Sequence, residues 1–143
     1  MGYIFRFVNN LKCRLRKNKE SIVTDEILSI QEYECALTKL IIADQRIIKQ
    51  CSNFEKLKNS LKLFEDNGIL RLRGRFSNAN LTYQSKFPVL LRSGSYLTDL
   101  IIRNSHEKTL HHGVESTLAF LRENYWITQG RKTIQNILGR SYC

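Results

Sequence analysis

Proline is nearly absent from this chain and glycine is sparse, with one proline, Pro88, and seven glycines in 143 residues. Little therefore forbids helix over most of its length. No apolar run approaches the ~18 residues needed to span a bilayer. The start, MGYIFRFVNNLKCRLRKNK, has neither the continuous apolar core nor the small-residue cleavage site of a secretory signal. Arg6 stands where N-myristoylation of Gly2 would want Ser or Thr. These absences argue against secretion and membrane insertion and place the expected location in nucleus or cytoplasm. The four cysteines, 13, 35, 51 and 143, are too scattered for a disulfide framework and read as reduced thiols. Cys13, Cys35 and Cys51 are expected to pack as small apolar residues.

Acids are also in short supply. Thirteen of them face 23 lysines and arginines, giving a formal charge of +10. The usual partner of such a balance is a polyanion. The excess is uneven: residues 1–20 carry six cations and one acid, 21–67 six cations and eight acids, 68–143 eleven cations and four acids. Both ends are basic and the middle is not. In the first segment Phe5, Val8, Leu11 and Leu15 recur at helical spacing among the cations.

Thr24 followed by Asp25 and Glu26 reads as a helix start, and Ile27, Ile30, Leu37, Leu40, Ile41, Ile47, Ile48 and Cys51 mark an apolar face. A long helix is expected over roughly 24–51. Asp66-Asn67-Gly68 is a turn signal, and the partial alternation from Ile69 to Phe76 predicts a strand paired in a hairpin with 61–65. Such a strand would carry Arg71, Arg73 and Arg75 on one face. Phe87–Leu91 reads as a second short strand, with Pro88 at its start. Three short helices should follow, over 96–106, 114–124 and 131–138, with Tyr125-Trp126-Ile127 an apolar connector. The expected fold is mainly α with a small β-hairpin or sheet: N-terminal helices over 1–60, short antiparallel strands over 61–95, and a three-helix domain over 96–143. Domains that small commonly need a metal to hold them.

All three histidines, 106, 111 and 112, fall within seven positions. His106 and His111 are separated by four residues, a spacing used by the histidine half of structural zinc sites. Glu107 beside His106 does not make a hydrolytic zinc motif, because His111 follows it at four positions rather than three.

The run His106 to Val114, followed by Thr117-Leu118, Leu121-Arg122, Tyr125-Trp126-Ile127 and Gly130-Arg131, closely resembles the integrase zinc-binding domain. More narrowly it resembles that of BEL/Pao long-terminal-repeat retrotransposons. Asp66–Phe76 is similar to the GLLRVGGRL hairpin preceding that domain, and Lys86–Leu91 to the KHPILL strand, with Phe87 in place of the usual histidine. Arg6–Leu11 looks like the linker ahead of it. The resemblance implies a helical, HHCC-type fold clamped by one Zn2+ through two histidines and two cysteines. Carried over by position, His106 and His111 match the ligand histidines, and His112 the variable place before Gly113. Counted without gaps, the first ligand cysteine falls on Ser141 and the second beyond the last residue. Either one residue is lost and Cys143 serves as a ligand, or the given sequence stops before the true one.

The family's strand-transfer chemistry resides in a separate carboxylate-bearing domain, and only 32 residues follow His111. No enzyme is therefore expected. The resemblance implies a truncated N-terminal integrase module that supports subunit association and salt-sensitive, nearly sequence-blind DNA binding, with no small-molecule substrate. Arg71, Arg73, Arg75, Lys108, Arg131 and Lys132 are the candidate phosphate contacts. The competing expectation is a metal-free helical interaction remnant, or a domesticated element-derived protein, that binds no DNA.

Overall fold

The structure, a computed structural model, describes residues 2–4, 6, 7, 10, 27, 29–74 and 80–139. The chain divides into two compact units, Met1–Leu40 and Ile41–Cys143. The described residues are mainly helical with one small four-stranded sheet, the expected class.

Helix α1, Ile30–Lys49, crosses the boundary between the units. The expected start at Thr24 lies outside the described residues. Ile27 and Ser29 are not helical, and the cap is Ser29. Its hydroxyl accepts the Glu32 N–H at 3.2 Å, while the Glu32 carboxylate accepts the Ser29 N–H at 2.9 Å. Ser29-Ile30-Gln31-Glu32 is thus a capping box, with two otherwise orphaned groups satisfied reciprocally. Buried Arg6 completes the cluster, its Nε 2.7 Å from Glu32 Oε1 and its Nη2 donating to Oε2 and to the Ile27 carbonyl.

The expected apolar face of α1 is narrower than its hydrophobic residues suggested. Ile41 and Ile48 are buried, whereas Ile27, Ile30 and Ile47 are exposed. Between the buried pair lies Gln45, 1% exposed. Cys35 and Cys51 are exposed, correcting their expected packing as core residues. Cys35 occupies an outward position on α1, and Cys51 lies past its last turn, where Sγ donates to the Ile47 carbonyl. Cys13 lies outside the described residues.

In the second unit, α2 (Phe54–Leu61) ends at Lys62, whose left-handed backbone returns its N–H to the Lys58 carbonyl. β1 (Leu63–Asp66) then pairs antiparallel with β2 (Ile69–Leu72) around Asn67 and Gly68. Both turn residues have positive φ, 49° and 83°, as a tight two-residue hairpin turn requires. β2 is buried at Ile69, Leu70 and Leu72, so the expected alternation is replaced by a strand covered on both faces. A short helix, α3 (Tyr83–Lys86), leads to β3 (Val89–Leu91), all three of whose residues are buried. Burying a leucine such as Leu90 contributes roughly 1.5–3 kcal/mol.

Helices α4 (Tyr96–Lys108) and α5 (Gly113–Arg122) form the crossover to β4 (Tyr125–Ile127), and α6 (Gly130–Gly139) follows. β4 lies parallel to β3, with Val89 opposite Tyr125 and Leu91 opposite Ile127. This corrects one expectation, because Tyr125–Ile127 is a strand rather than a connector, whereas the strands within 61–95 pair antiparallel as expected. A helical crossover is what parallel neighbours need.

β2 and β3 share a single registered pair, Arg71 with Val89. Gln45 supplements that ladder from α1. Its amide accepts the Leu70 N–H at 2.7 Å and donates to the carbonyls of Leu70 and Leu90 at 3.0 and 2.7 Å. Ile48, Leu63, Leu70, Leu72 and Leu90 form the cluster around this seam, with Trp126 packed against it.

Candidate metal centre and basic surface

Helix α4 begins at Ser95, whose hydroxyl accepts the Thr98 N–H, and Thr98 Oγ1 donates to the Arg92 carbonyl at 2.7 Å. Its inward stripe is Thr98, Ile102, Ser105 and His106, a 4-3-1 spacing that holds one helical face toward α5 and α6. His106, at the last turn, is 6% exposed.

Had the helix continued, residue 111 would lie about 140° around the axis from residue 106. Leu110 and His111 instead adopt left-handed backbone, φ 52° and 60°, and the His111 N–H closes onto the His106 carbonyl at 3.1 Å. The chain folds back, and the two imidazole centroids come within 4.7 Å, edge to face. Two consecutive non-glycine residues in this region carry strain, which is held only where the surrounding structure fixes it. Gly113, at φ 86°, then opens α5.

The nitrogens of His106 are sharply different. Nδ1 lies 3.0 Å from Thr117 Oγ1 on α5, and that hydroxyl donates its own proton to the Gly113 carbonyl at 2.8 Å. With the hydroxyl proton on that carbonyl, the contact is a donation from the ring, in the tautomer that carries its proton on Nδ1. Nε2 is buried and has no hydrogen-bond partner. A buried acceptor left unsatisfied costs about 1–3 kcal/mol. An imidazole fixed through one nitrogen with the other free is the arrangement of a metal-ligating histidine.

Residues 95–140 match the integrase zinc binding domain. The match takes in α4, α5 and α6, with both histidines of the pair inside it. No curated protein and no solved structure matches the chain significantly.

Zn2+ is the metal this domain implies, and the residues present fit its nitrogen half. His106 has an unpartnered Nε2, and its ring lies beside that of exposed His111. Among the described residues no group of three or more His, Cys, Asp or Glu side chains comes together. Cys143 and Ser141 lie outside the described residues. His112 faces solvent and turns Nδ1 onto the Thr109 carbonyl. Glu107 is exposed.

The candidate phosphate contacts fall in different surroundings. Arg71 is drawn into the fold: its side chain, 11% exposed, pairs with Asp66 at 3.1 Å, donates to the Phe87 carbonyl and lies over the Tyr83 ring. Arg73, past the end of β2, sits over Phe64, 5.5 Å from its centroid. Arg75 lies outside the described residues. Lys108 is exposed at the end of α4, and Lys132 on the first turn of α6. Arg131, also exposed, forms a 2.8 Å surface pair with Glu115.

Sequence reasoning assigned Thr117 no part in holding the site. Its signal is a hydroxyl on the inward stripe of the helix after the histidines, beside Leu118 and Leu121.

Proposed function

We propose that residues 96–143 form the zinc-binding module of a BEL/Pao-type retrotransposon integrase, serving subunit association and non-specific DNA binding. The observation that carries this is the buried, unpartnered Nε2 of His106, on a ring whose centroid lies 4.7 Å from that of His111, within the matched segment. His106 and His111 would hold Zn2+ by nitrogen, and Cys143 is the sulfur donor nearest in sequence. When bound, the ion supplies a structural crosslink rather than a reactive centre. Thr117 positions the His106 ring and keeps its proton on Nδ1. The reversal at Leu110 and His111 brings the second imidazole alongside the first.

Exposed Lys108, Arg131 and Lys132 supply positive charge on this module, and contacts of this kind neutralise phosphates without reading sequence. Zinc titration of the metal-free protein, followed by helicity and thermal unfolding, tests the module. One equivalent should raise the midpoint and a chelator should reverse the rise. Unchanged unfolding at several equivalents would instead favour a metal-free helical interaction protein.

A further inference from the structure

The cleft between α5, β4 and α6 occupies about 530 Å³ and is bordered by Arg122, Tyr125, Trp126, Arg131, Lys132 and Gln135. That volume lies in the range of small-ligand sites, about 300–1,000 Å³. One wall is aromatic. Trp126 is half-buried, packs against the sheet cluster and lies 5.9 Å from the Arg122 guanidinium, with Tyr125 next to it in β4. The other wall is the start of α6, where Arg131 and Lys132 occupy the first turn and no acid is present.

That last arrangement runs against helix electrostatics. The N-terminus of a helix is its positive end and favours acids; two cations there repel it. By contrast, the cleft bordered by Lys58, Lys62 and Arg73 places its lysines at the C-terminal end of α2, where the dipole favours them. The α6 cations have no such stabilising role in the helix, and among the described residues Arg131 is balanced by one exposed pair, with Glu115. Such a pair is weak and exchanges readily for a phosphate.

We infer that this cleft binds an unpaired nucleotide of single-stranded nucleic acid. The base stacks against the Arg122 guanidinium and the aromatic wall, and the phosphate sits at the α6 N-terminus between Arg131 and Lys132. Stacking on aromatic rings and guanidinium planes, beside a basic track, is how unpaired bases are held. A base inside a duplex is already stacked on its neighbours and cannot enter. The inference deepens the proposed nucleic-acid binding and rests on it, giving that binding a preference for strand ends or unpaired segments.

Trp126 is the only tryptophan in the chain, so tryptophan emission reports on this cleft. The full-length protein is titrated with labelled single strands of ~8 nucleotides, DNA and RNA separately, and with a blunt DNA duplex of equal length. Anisotropy reads binding and tryptophan emission reads occupancy of the cleft. Single strands should quench the emission and bind about tenfold tighter than the duplex at equal salt. The relative response to DNA and RNA identifies which strand the cleft prefers. The double variant Arg131→Ala/Lys132→Ala, with both sites exposed, should lose about tenfold in single-strand affinity while its circular dichroism stays unchanged. Duplex binding with no change in tryptophan emission, or equal quenching by duplex and single strand, overturns the cleft assignment and leaves general DNA binding standing. Absence of binding by every oligonucleotide overturns both.

Discussion

A hydroxyl and an imidazole decide the chemistry available at the His106 site. Thr117 Oγ1 lies 3.0 Å from His106 Nδ1 and donates to the Gly113 carbonyl. Replacing it with valine keeps the volume close and removes the acceptor. Thr117→Val should weaken zinc binding roughly 10- to 100-fold, the usual effect of losing a partner behind a metal ligand. Chelator competition measures this, and an unchanged affinity would deny Thr117 its positioning part. At the same scale, Gln45 holds three backbone groups at the seam between β2 and β3. Gln45→Leu leaves them buried without that partner, and each unsatisfied group costs about 1–3 kcal/mol. We expect a loss on the order of 3 kcal/mol, read from the midpoint of urea unfolding at constant slope.

At the scale of the element, the start of α1 makes a prediction about pH. Hydrogen bonds from Arg6, then the Ser29 N–H, hold the Glu32 carboxyl down from 4.5 to about 2. A carboxyl whose folded value lies below its unfolded one contributes stability that is fully present above the unfolded value. That contribution is lost as pH falls through the folded one. The cap should therefore be intact above pH ~4.5 and loosen progressively toward pH ~2. Carboxyl NMR of Glu32 should titrate near 2, and Arg6→Ala should return it toward 4.5; titration near 4.5 in the native protein would remove the Arg6 clamp.

Several elements were legible in the residues. Asn67-Gly68 announces its hairpin because only a left-handed pair closes so short a turn, and Ile134, Ile137 and Leu138 point inward as their spacing implies. The Ser29–Glu32 capping box was equally legible in principle, but Thr24 with its two acids offered a competing start. Other features depend on partners distant in sequence. Gln45 reads as a polar residue interrupting an apolar face until two strands are placed beside it. Tyr125–Ile127 becomes a strand only because β3 lies alongside, and three residues are too few for a periodic signal. His106 and His111 were singled out by spacing. What brings them together is backbone reversal at two residues that carry no glycine to signal it.

For the whole molecule, the three-helix segment combines the buried apolar residues Ile102, Leu118, Leu121 and Ile134 with the buried, unpartnered Nε2 of His106. Among the described residues no helix is long and apolar enough to cross a membrane. If the positive surface meets phosphates, DNA binding should fall steeply with salt, at a slope of roughly 0.9 per phosphate neutralised. Anisotropy on two duplexes of unrelated sequence should give the same slope and nearly the same affinity; a large difference between them would mean base reading.

The central claim is that His106 is a metal ligand through Nε2. Long-range nitrogen–proton NMR of the imidazole, recorded before and after one equivalent of zinc, tests it most directly. A proton on Nδ1 throughout, with a large shift confined to Nε2 when zinc is added, is the expected result. A ring protonated on Nε2, or nitrogen signals from His106 that ignore stoichiometric zinc, would contradict it.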